Sequence, residues 1–347
     1  MASLPGSVGK CLVLTGGSAS VGPYGIDQLE ELGVGLLEVP VASSRLHKKI
    51  ADVAHHRTGV PMDKAVRSAA KVPRADVVLA FLESQAQAPS WAKAHGIPPY
   101  AGTPLTMMAC WLAEELRTMP QPERRAVVRR YRGVDLTLVW SSNQIDILVD
   151  CGFDAERVES IPFGFAPGLF PPRSPRRAGP LVAVGFDRGR DYPTLITALR
   201  GSGLRLDLYS KPGNLEDAGL PEEVDFHGTV PFDEYRQVIS AASIVAVPTK
   251  VMAYPTGQTV ALEAAGSGAC VVITDTPAIR EYFSEETAVL VTAGDTDAWT
   301  RELVGLMADS VRREAIAAAG CAHVHAHFTY RQMWQRVLEL WQTRGWV

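Results

Sequence analysis

The sequence predicts an α/β protein with two Rossmann-like, doubly wound parallel-sheet domains that face each other across a cleft. Short apolar runs rich in β-branched residues alternate with helical stretches, and this alternation starts again after a proline-rich stretch in the middle of the chain. Strands buried on both faces of a parallel sheet have this near-continuous apolar character. A chain of 347 residues is also long enough for about two domains.

The predicted elements follow one another in the order expected for such sheets. In the first half, the predicted strands are Cys11–Thr15, Gly35–Val39, Asp76–Phe81, Leu136–Trp140 and Val158–Ile161. The helices between them are Tyr24–Leu32, Leu46–Arg57, Leu112–Arg132 and Asn143–Cys151. In the second half, the strands are Leu181–Val184, Leu204–Tyr209, Val224–His227, Ile244–Pro248, Cys270–Thr274 and Ala288–Val291. The helices are Asp191–Arg200, Phe232–Ala242, Thr259–Gly266, Asp297–Ala308 and Arg312–His325.

The domain boundaries are set by a segment with five prolines, which opposes both helix and central strand. This segment, 167–180, is the predicted linker between an N-terminal domain at 1–166 and a C-terminal domain at 181–328. The last residues, 329–347, contain a helix that we expect to cross back to the N-terminal domain. In such α/β folds, ligands bind at the carboxyl ends of the strands.

Composition excludes several classes of protein. The chain carries 34 Lys and Arg against 38 Asp and Glu, a net charge of −4, so no overall basic excess favours nucleic acid as a partner. No apolar run approaches the length of a transmembrane helix. The five cysteines are scattered, which argues against a disulfide scaffold and favours a reducing compartment, so we expect a cytoplasmic protein.

The segment from Tyr254 to Val272 carries the most chemical information. A Gly- and Thr-rich loop precedes a helix that begins near Thr259. Helix N-termini attract anions, and Gly257 allows a phosphate to approach the backbone closely. Glu263 lies in an apolar part of this helix, where a carboxylate needs a partner. That partner is either a ribose diol or an amide of a neighbouring loop.

This segment resembles the donor-site helix of the family-4, glycogen-synthase-like retaining glycosyltransferases. Three further motifs follow that family in order: Ile161-Pro-Phe-Gly-Phe, Val184-Gly-Phe-Asp-Arg-Gly-Arg-Asp-Tyr and Val224-Asp-Phe-His-Gly-Thr-Val-Pro. The resemblance is clear over about residues 135–330 and weak before them.

The resemblance implies an activity, partners and roles for the two domains. The N-terminal domain would bind the acceptor, and the C-terminal domain would bind a nucleoside-diphosphate sugar. The implied reaction is metal-independent transfer of a hexose or deoxysugar, with retained anomeric configuration and without a cofactor. The acceptor would be a hydroxyl or amine of a small molecule, a glycan or a lipid-linked compound. A nucleotide-sugar epimerase and a non-catalytic sugar-nucleotide-binding subunit are the alternatives, since fold alone does not determine chemistry.

Two departures from the family pattern bear on the donor site. Pro255 stands eight residues before Glu263, where the family has a first Glu that contacts the donor sugar, and the amide of Gln258 is a partial substitute. Phe186 replaces the usual Arg, so we interpret Arg188 and Arg190 as the diphosphate clamp. The alternative is a solvated basic loop before a helix.

Other donor-side candidates follow predicted strands or precede the helix. Lys211 either adds charge near the diphosphate or is a surface lysine. Thr229 and Val230 match the backbone that meets the base in the family. Thr256 is a donor-binding candidate, and the amides of Gly257–Thr259 would face the diphosphate. Gly16 and Gly17 form either a loop close to a substrate or a tight structural turn.

The acceptor side is less well marked. Glu83 follows a predicted strand, and Trp111 is either an acceptor contact or a core residue. Asp295-Thr-Asp297 imitates a metal-binding motif, but its position before a helix favours N-capping. His323, His325 and His327 lack the further ligands that a zinc site needs, so no metal site is predicted.

Overall fold

The computed structural model describes residues 8–16, 23–40, 44–173, 179–215 and 218–347. The chain folds into two compact units. The first consists of Met1–Ile161 together with Tyr330–Val347, and the second is Pro162–Thr329. The chain therefore leaves the first unit once and returns to it at its C-terminus.

The first unit contains a six-stranded parallel sheet with strand order β2-β1-β3-β4-β5-β6. Its strands are β1 Gly9–Leu14, β2 Val34–Glu38, β3 Val77–Phe81, β4 Leu105–Met108, β5 Leu136–Val139 and β6 Val158–Ser160. The helices are α1 Gln28–Glu31, α2 Arg45–Thr58, α3 Asp63–Ser68, α4 Glu83–Ala94, α5 Leu112–Thr118, α6 Gln121–Arg130 and α7 Asn143–Cys151. All residues of β3, β4 and β5 are buried, as expected for central strands covered on both faces.

The C-terminal helix Tyr330–Thr343 packs within this first unit. It is α13 in chain order, and its apolar stripe includes the fully buried Trp334 and Trp341. The indole N–H of Trp334 donates to the carbonyl of Tyr24, and that of Trp341 donates to the hydroxyl of Thr106, both at 2.9 Å. The helix therefore buries its large aromatic groups with their polar atoms satisfied.

The second unit contains another six-stranded parallel sheet, with strand order β12-β11-β10-β7-β8-β9. Its strands are β7 Leu181–Val184, β8 Leu206–Tyr209, β9 Val224–Phe226, β10 Ile244–Val247, β11 Cys270–Asp275 and β12 Val289–Thr292. The helices are α8 Tyr192–Leu199, α9 Phe232–Ala241, α10 Gln258–Gly266, α11 Thr296–Ala308 and α12 Ser310–His327. Because every strand is parallel, all carboxyl ends lie along one edge, where the loops after β7 and β10 are neighbours.

The predicted α/β class and the two parallel sheets are confirmed, with differences in the first unit. The sequence pattern missed β4 and the helices α3 and α4. β4 has only four residues, none of them Val or Ile, α3 has only six residues, and α4 contains Pro89 and no strong apolar periodicity. The predicted helix Leu112–Arg132 is two helices, because Pro120 interrupts it.

The change from the first unit to the second falls before the predicted linker. The backbone N–H of Phe163 donates to the hydroxyl of Tyr282 at 2.9 Å, and that of Phe165 donates to the carbonyl of Phe328 at 2.8 Å. These bonds attach the chain after Ile161 to the second unit. The described part of the segment 167–180 therefore belongs to that unit.

Candidate functional site

Two loops are joined by backbone hydrogen bonds at the carboxyl edge of the second sheet. The N–H of Lys250 donates to the carbonyl of Gly189 at 2.8 Å, and the N–H of Asp191 donates to that of Pro248 at 3.1 Å. Arg190 and Thr249 consequently face each other in an isolated antiparallel bridge. The bridge places Arg190, which follows β7, beside the loop that connects β10 to α10.

Arg190 is a buried cation, with only 3% of its surface exposed. Its Nε donates to Oδ2 of Asp187 at 2.8 Å. Burial alone would raise the pKa of Asp187, but the Arg190 guanidinium, with hydrogen bonds from Thr256 and the Gly189 N–H, holds that pKa below its ordinary value. The pair is therefore ionised, and Asp187 fixes the direction of the guanidinium.

One nitrogen of this guanidinium, Nη1, is buried without a hydrogen-bond partner among the residues that the structure describes. It lies next to Gly257, the residue before α10. A Cβ placed on Gly257 would be 3.0 Å from Nη1 and 2.5 Å from Cγ1 of Val247. Gly257 has a φ of 86°, in the left-handed region that favours glycine. The unused donor of a buried arginine and the positive end of a nine-residue helix are thus neighbours, as an anion-binding site requires.

The approach of the two loops depends on a second close contact. Gly185 has a φ of 149°, and a Cβ there would overlap the guanidinium of Arg190. The carbonyl of Gly185 accepts hydrogen bonds from the hydroxyls of Tyr192 at 3.0 Å and Ser210 at 2.8 Å. These bonds keep the turn after β7 in position.

Near Arg190 and Gly257, two further buried polar atoms have no hydrogen-bond partner among the described residues. They are Oγ1 of Thr249 and Oε1 of Gln258, whose residues are 0% and 1% exposed. Nε2 of Gln258 donates to the hydroxyl of Tyr254 at 2.8 Å, and this bond fixes the orientation of the side-chain amide. Buried polar atoms without protein partners are costly, so these two atoms mark a place suited to a polar ligand.

Glu263 lies in the body of α10 and is 6% exposed. Burial raises the pKa of this carboxyl to about 8, although a hydrogen bond from the Tyr235 hydroxyl opposes the increase. The protein partner is therefore a tyrosine of α9, not the loop amide that was the alternative to ribose. Tyr235 also packs edge-on against Phe170, which holds its ring in place.

The remaining donor-side candidates divide into two groups. Pro255 and Thr256 are buried, and the hydroxyl of Thr256 donates to Asp187 at 2.7 Å, so they belong to the cluster around Arg190. Thr259 is half-buried in the first turn of α10.

The second group lies at the surface. Arg188, Lys211 and Thr229 are exposed, and Val230 is half-buried. The two arginines of the predicted clamp thus have different environments. Sequence reasoning missed Asp187, Thr249 and Tyr235 as members of the site, although their positions after strands or near motif residues were a usable signal.

In the first unit, Glu83 has a structural explanation. Its carboxylate accepts backbone hydrogen bonds from Trp111 at 2.8 Å and Cys110 at 3.2 Å, which connects the start of α4 to the start of α5. Burial raises the pKa of Glu83. Trp111 is half-buried, and Gly16 is exposed after β1, whereas Gly17 lies outside the described residues.

Neither of the two motifs that resemble metal sites forms a metal site among the described residues. Oδ1 of Asp295 accepts from the N–H of Ala298 at 2.8 Å, which confirms that it caps α11. The rings of His323 and His327 are 5.1 Å apart, but the described residues hold no cluster of three or more His, Cys, Asp or Glu suited to a metal ion. Within the same residues, no helix has the length and apolar character needed to cross a membrane.

Comparisons with known proteins agree with this arrangement. Residues 190–339 match a family model described as glycosyl transferase-like. A GDP-mannose-dependent monoacylated alpha-(1-6)-phosphatidylinositol monomannoside mannosyltransferase from Corynebacterium glutamicum is 28% identical over 128 residues. That match covers 36% of this chain and 34% of the mannosyltransferase, about a third of each.

Solved structures match nearly the whole chain. HepE from Anabaena in complex with UDP-glucose superposes with a TM-score of 0.70 at 18% identity, covering 96% of this chain and all of HepE. Sucrose-phosphate synthase from Thermosynechococcus elongatus gives a TM-score of 0.69 at 16% identity, covering 97% of this chain and 98% of that one. Identities this low establish the fold. Residues 190–339, which make up less than half of the chain, are in addition similar to the glycosyl transferase-like family.

Proposed function

We propose that this protein transfers a sugar from a nucleoside-diphosphate sugar to an acceptor hydroxyl or amine, with retention of anomeric configuration and without a metal ion. The observation that carries the proposal is the unpartnered Nη1 of the buried Arg190, which lies beside Gly257 at the start of α10. A diphosphate supplies the acceptor oxygens that this nitrogen and the helix amides need.

The same residues would stabilise the departing diphosphate. Negative charge on it grows as the glycosidic bond breaks, and a cation already fixed by Asp187 would meet that charge without having to move. The N–H groups of the first turn of α10 would add to this effect. In front-face transfer the leaving phosphate takes the acceptor's proton, so no protein nucleophile is required.

The sugar and the ribose have separate candidate partners. Oε1 of Gln258 is a buried acceptor suited to a hydroxyl of the donor sugar, at the side where Pro255 replaces the carboxylate of related enzymes. Glu263 is suited to the ribose hydroxyls. The similar proteins include one solved with UDP-glucose and one named for GDP-mannose, so the base and sugar of the donor are best determined with a panel that contains both.

Calorimetric titration with UDP and GDP tests the anion site directly. Replacing Arg190 by Lys keeps the charge but removes the planar fork of donors, so we expect at least a tenfold loss of affinity for the preferred nucleotide. Arg205→Lys is the matched control, because Arg205 is exposed and lies before β8, at the amino end of the strand. Equal affinity in the wild type and the Arg190→Lys variant would contradict the proposal.

Turnover tests the reaction class. Release of nucleoside diphosphate from UDP-glucose or GDP-mannose should depend on an added acceptor, and the anomeric configuration of the product can be read by NMR. Epimerised nucleotide sugar without acceptor would indicate the epimerase alternative. Binding with no turnover on any acceptor of a broad panel would indicate a binding subunit.

A further inference from the structure

Aromatic rings meet at the carboxyl edge of the first sheet. Phe81 is the last residue of β3, and Trp140 directly follows β5. The ring centroid of Phe81 lies 6.5 Å from that of Trp140 and 6.3 Å from that of Trp334. The ring of Tyr24 lies 5.1 Å from it. Phe81, Trp140 and Trp334 are buried, whereas Tyr24 is 39% exposed. Tyr24 is therefore the member of this cluster that a ligand can reach.

The ring of Tyr24 has a fixed plane. It is stacked on the ring of Phe81, and the two planes differ by only 13°. Phe81 is itself held in the core by the two tryptophans. The exposed part of Tyr24 is thus presented in one orientation, backed by buried aromatic rings.

The backbone beside this stack is strained. Among the residues that the structure describes, two that are not glycine have a left-handed φ: Tyr24 at 64° and Leu82 at 75°. Leu82 directly follows Phe81, so both strained positions adjoin the stacked pair. Such backbone persists only where its surroundings enforce it, and it is concentrated at functional sites.

The C-terminal helix α13 enforces the strained conformation at Tyr24. The indole N–H of Trp334 donates to the carbonyl of Tyr24 at 2.9 Å. The next residue, Gly25, lies so close to Tyr330 that a Cβ on it would be 2.7 Å from the Cβ of Tyr330. The position of the Tyr24 ring is therefore determined by contacts to α13 as well as by the stack on Phe81.

We infer that Tyr24 is a platform for the acceptor, and that this acceptor carries its accepting group on a ring with an apolar face. The inference rests on the proposed transfer reaction. Ligands of parallel α/β folds bind at the carboxyl ends of the strands, which is where this ring lies. A fixed aromatic plane complements the flat apolar face of a sugar or aromatic ring. A short flexible chain offers less contact and loses more conformational freedom on binding.

Saturation-transfer NMR tests the inference without a donor or turnover, so its failure is distinguishable from failure of the proposed reaction. The probes are methyl α-D-glucopyranoside, phenol and the acyclic polyol glycerol. Wild-type protein should bind at least one ring probe and prefer it to glycerol, and the preferred probe distinguishes a sugar from an aromatic acceptor. Tyr24→Leu removes the aromatic plane and should weaken ring-probe binding by about two- to tenfold. Tyr24→Phe keeps the plane and should bind as the wild type does.

The matched control removes an exposed aromatic ring elsewhere in the same unit. Trp91 is 57% exposed and lies towards the end of α4, away from the helix start that follows β3. Trp91→Leu should leave the binding of every probe unchanged, and UDP or GDP affinity should be the same in all variants. A wild type that binds neither ring probe, or that binds glycerol equally well, would overturn the inference whether or not the variants fold. Equal ring-probe binding by Tyr24→Leu and the wild type would overturn it too.

Discussion

Nη1 of Arg190 lies 3.0 Å from the point that a Cβ on Gly257 would occupy. The buried cation and the beginning of α10 can be so close only because residue 257 has no side chain. Gly257 also has a left-handed backbone, which other residues adopt at a cost of about 1–2 kcal/mol. The absence of a side chain at residue 257 therefore affects both the stability of the second unit and the geometry of its candidate anion site.

Replacing Gly257 by Ala should damage the site and the fold together. The added methyl would overlap Val247 and press on the guanidinium, in addition to straining the backbone. We expect a fall in Tm of roughly 2–8 °C and a loss of nucleoside-diphosphate affinity, measured by thermal scanning and calorimetry. Gly213→Ala is the control, because a Cβ there meets no atom within 4 Å. A Gly257→Ala variant with unchanged Tm and nucleotide affinity would show that the start of α10 accommodates a Cβ at residue 257 and would contradict this prediction.

The two arginines of the predicted clamp should respond differently to mutation. Arg190→Ala leaves the half-buried, ionised Asp187 without its cation, a loss of about 1.5–3 kcal/mol of stability as well as of nucleotide affinity. Arg188 is exposed, so Arg188→Ala should leave Tm unchanged. If Arg188 belongs to the clamp, that variant should still lose about 1.5–3 kcal/mol of nucleotide binding. Tm and affinity measured on both single variants separate the two effects. Equal changes in Tm would contradict the different burial of the two side chains.

Most of the fold was predictable because buried parallel strands appear in the sequence as short apolar runs. Val77–Phe81 and Ile244–Val247 consist almost entirely of such residues, and both are central strands. Leu105–Met108 was not predicted, since its side chains are equally common in helices, and only its burial between β3 and β5 makes it a strand.

The site was predictable only in part, because burial and pairing depend on distant residues. Arg190 and Gly257 are visible in the sequence through their motifs. That Arg190 is buried on Asp187 is not visible, since Asp187-Arg-Gly-Arg190 has the composition of a solvated loop.

Chelation should leave sugar transfer intact, because the proposed site neutralises the diphosphate with Arg190 and helix amides. Asp295→Ala should remove only the cap of α11, at a cost of about 0.5–2 kcal/mol of stability. Asp295→Asn retains an oxygen that can cap and should lose less. Activity with and without EDTA, together with Tm, measures these effects. Transfer that stops in EDTA and returns with manganese would contradict metal independence.

Glu263 should make stability depend on pH in a definite direction. Its carboxyl has a pKa of about 8 in the folded protein against 4.5 when exposed, because burial disfavours the charge. Between these values the folded state retains a proton that the unfolded state has lost. The stability contributed by this group is therefore complete below pH 4.5 and is lost as pH rises towards 8, by up to about 1.4 kcal/mol per pH unit.

Glu263→Gln isolates this contribution, because the amide has the same shape and does not titrate. The difference in unfolding free energy between wild type and variant, measured from pH 5 to pH 9, should decline steadily and level off above pH 8. Tyr235→Phe removes the hydrogen bond that lowers the pKa of Glu263, so the decline in that variant should extend to higher pH. A 2′,3′-dideoxy nucleotide then tests the ribose contact: it should bind the wild type more weakly than the natural nucleotide but bind a Glu263→Ala variant equally well. A flat pH difference with an unchanged dideoxy penalty would mean that Glu263 is ionised in the fold and does not contact the ribose.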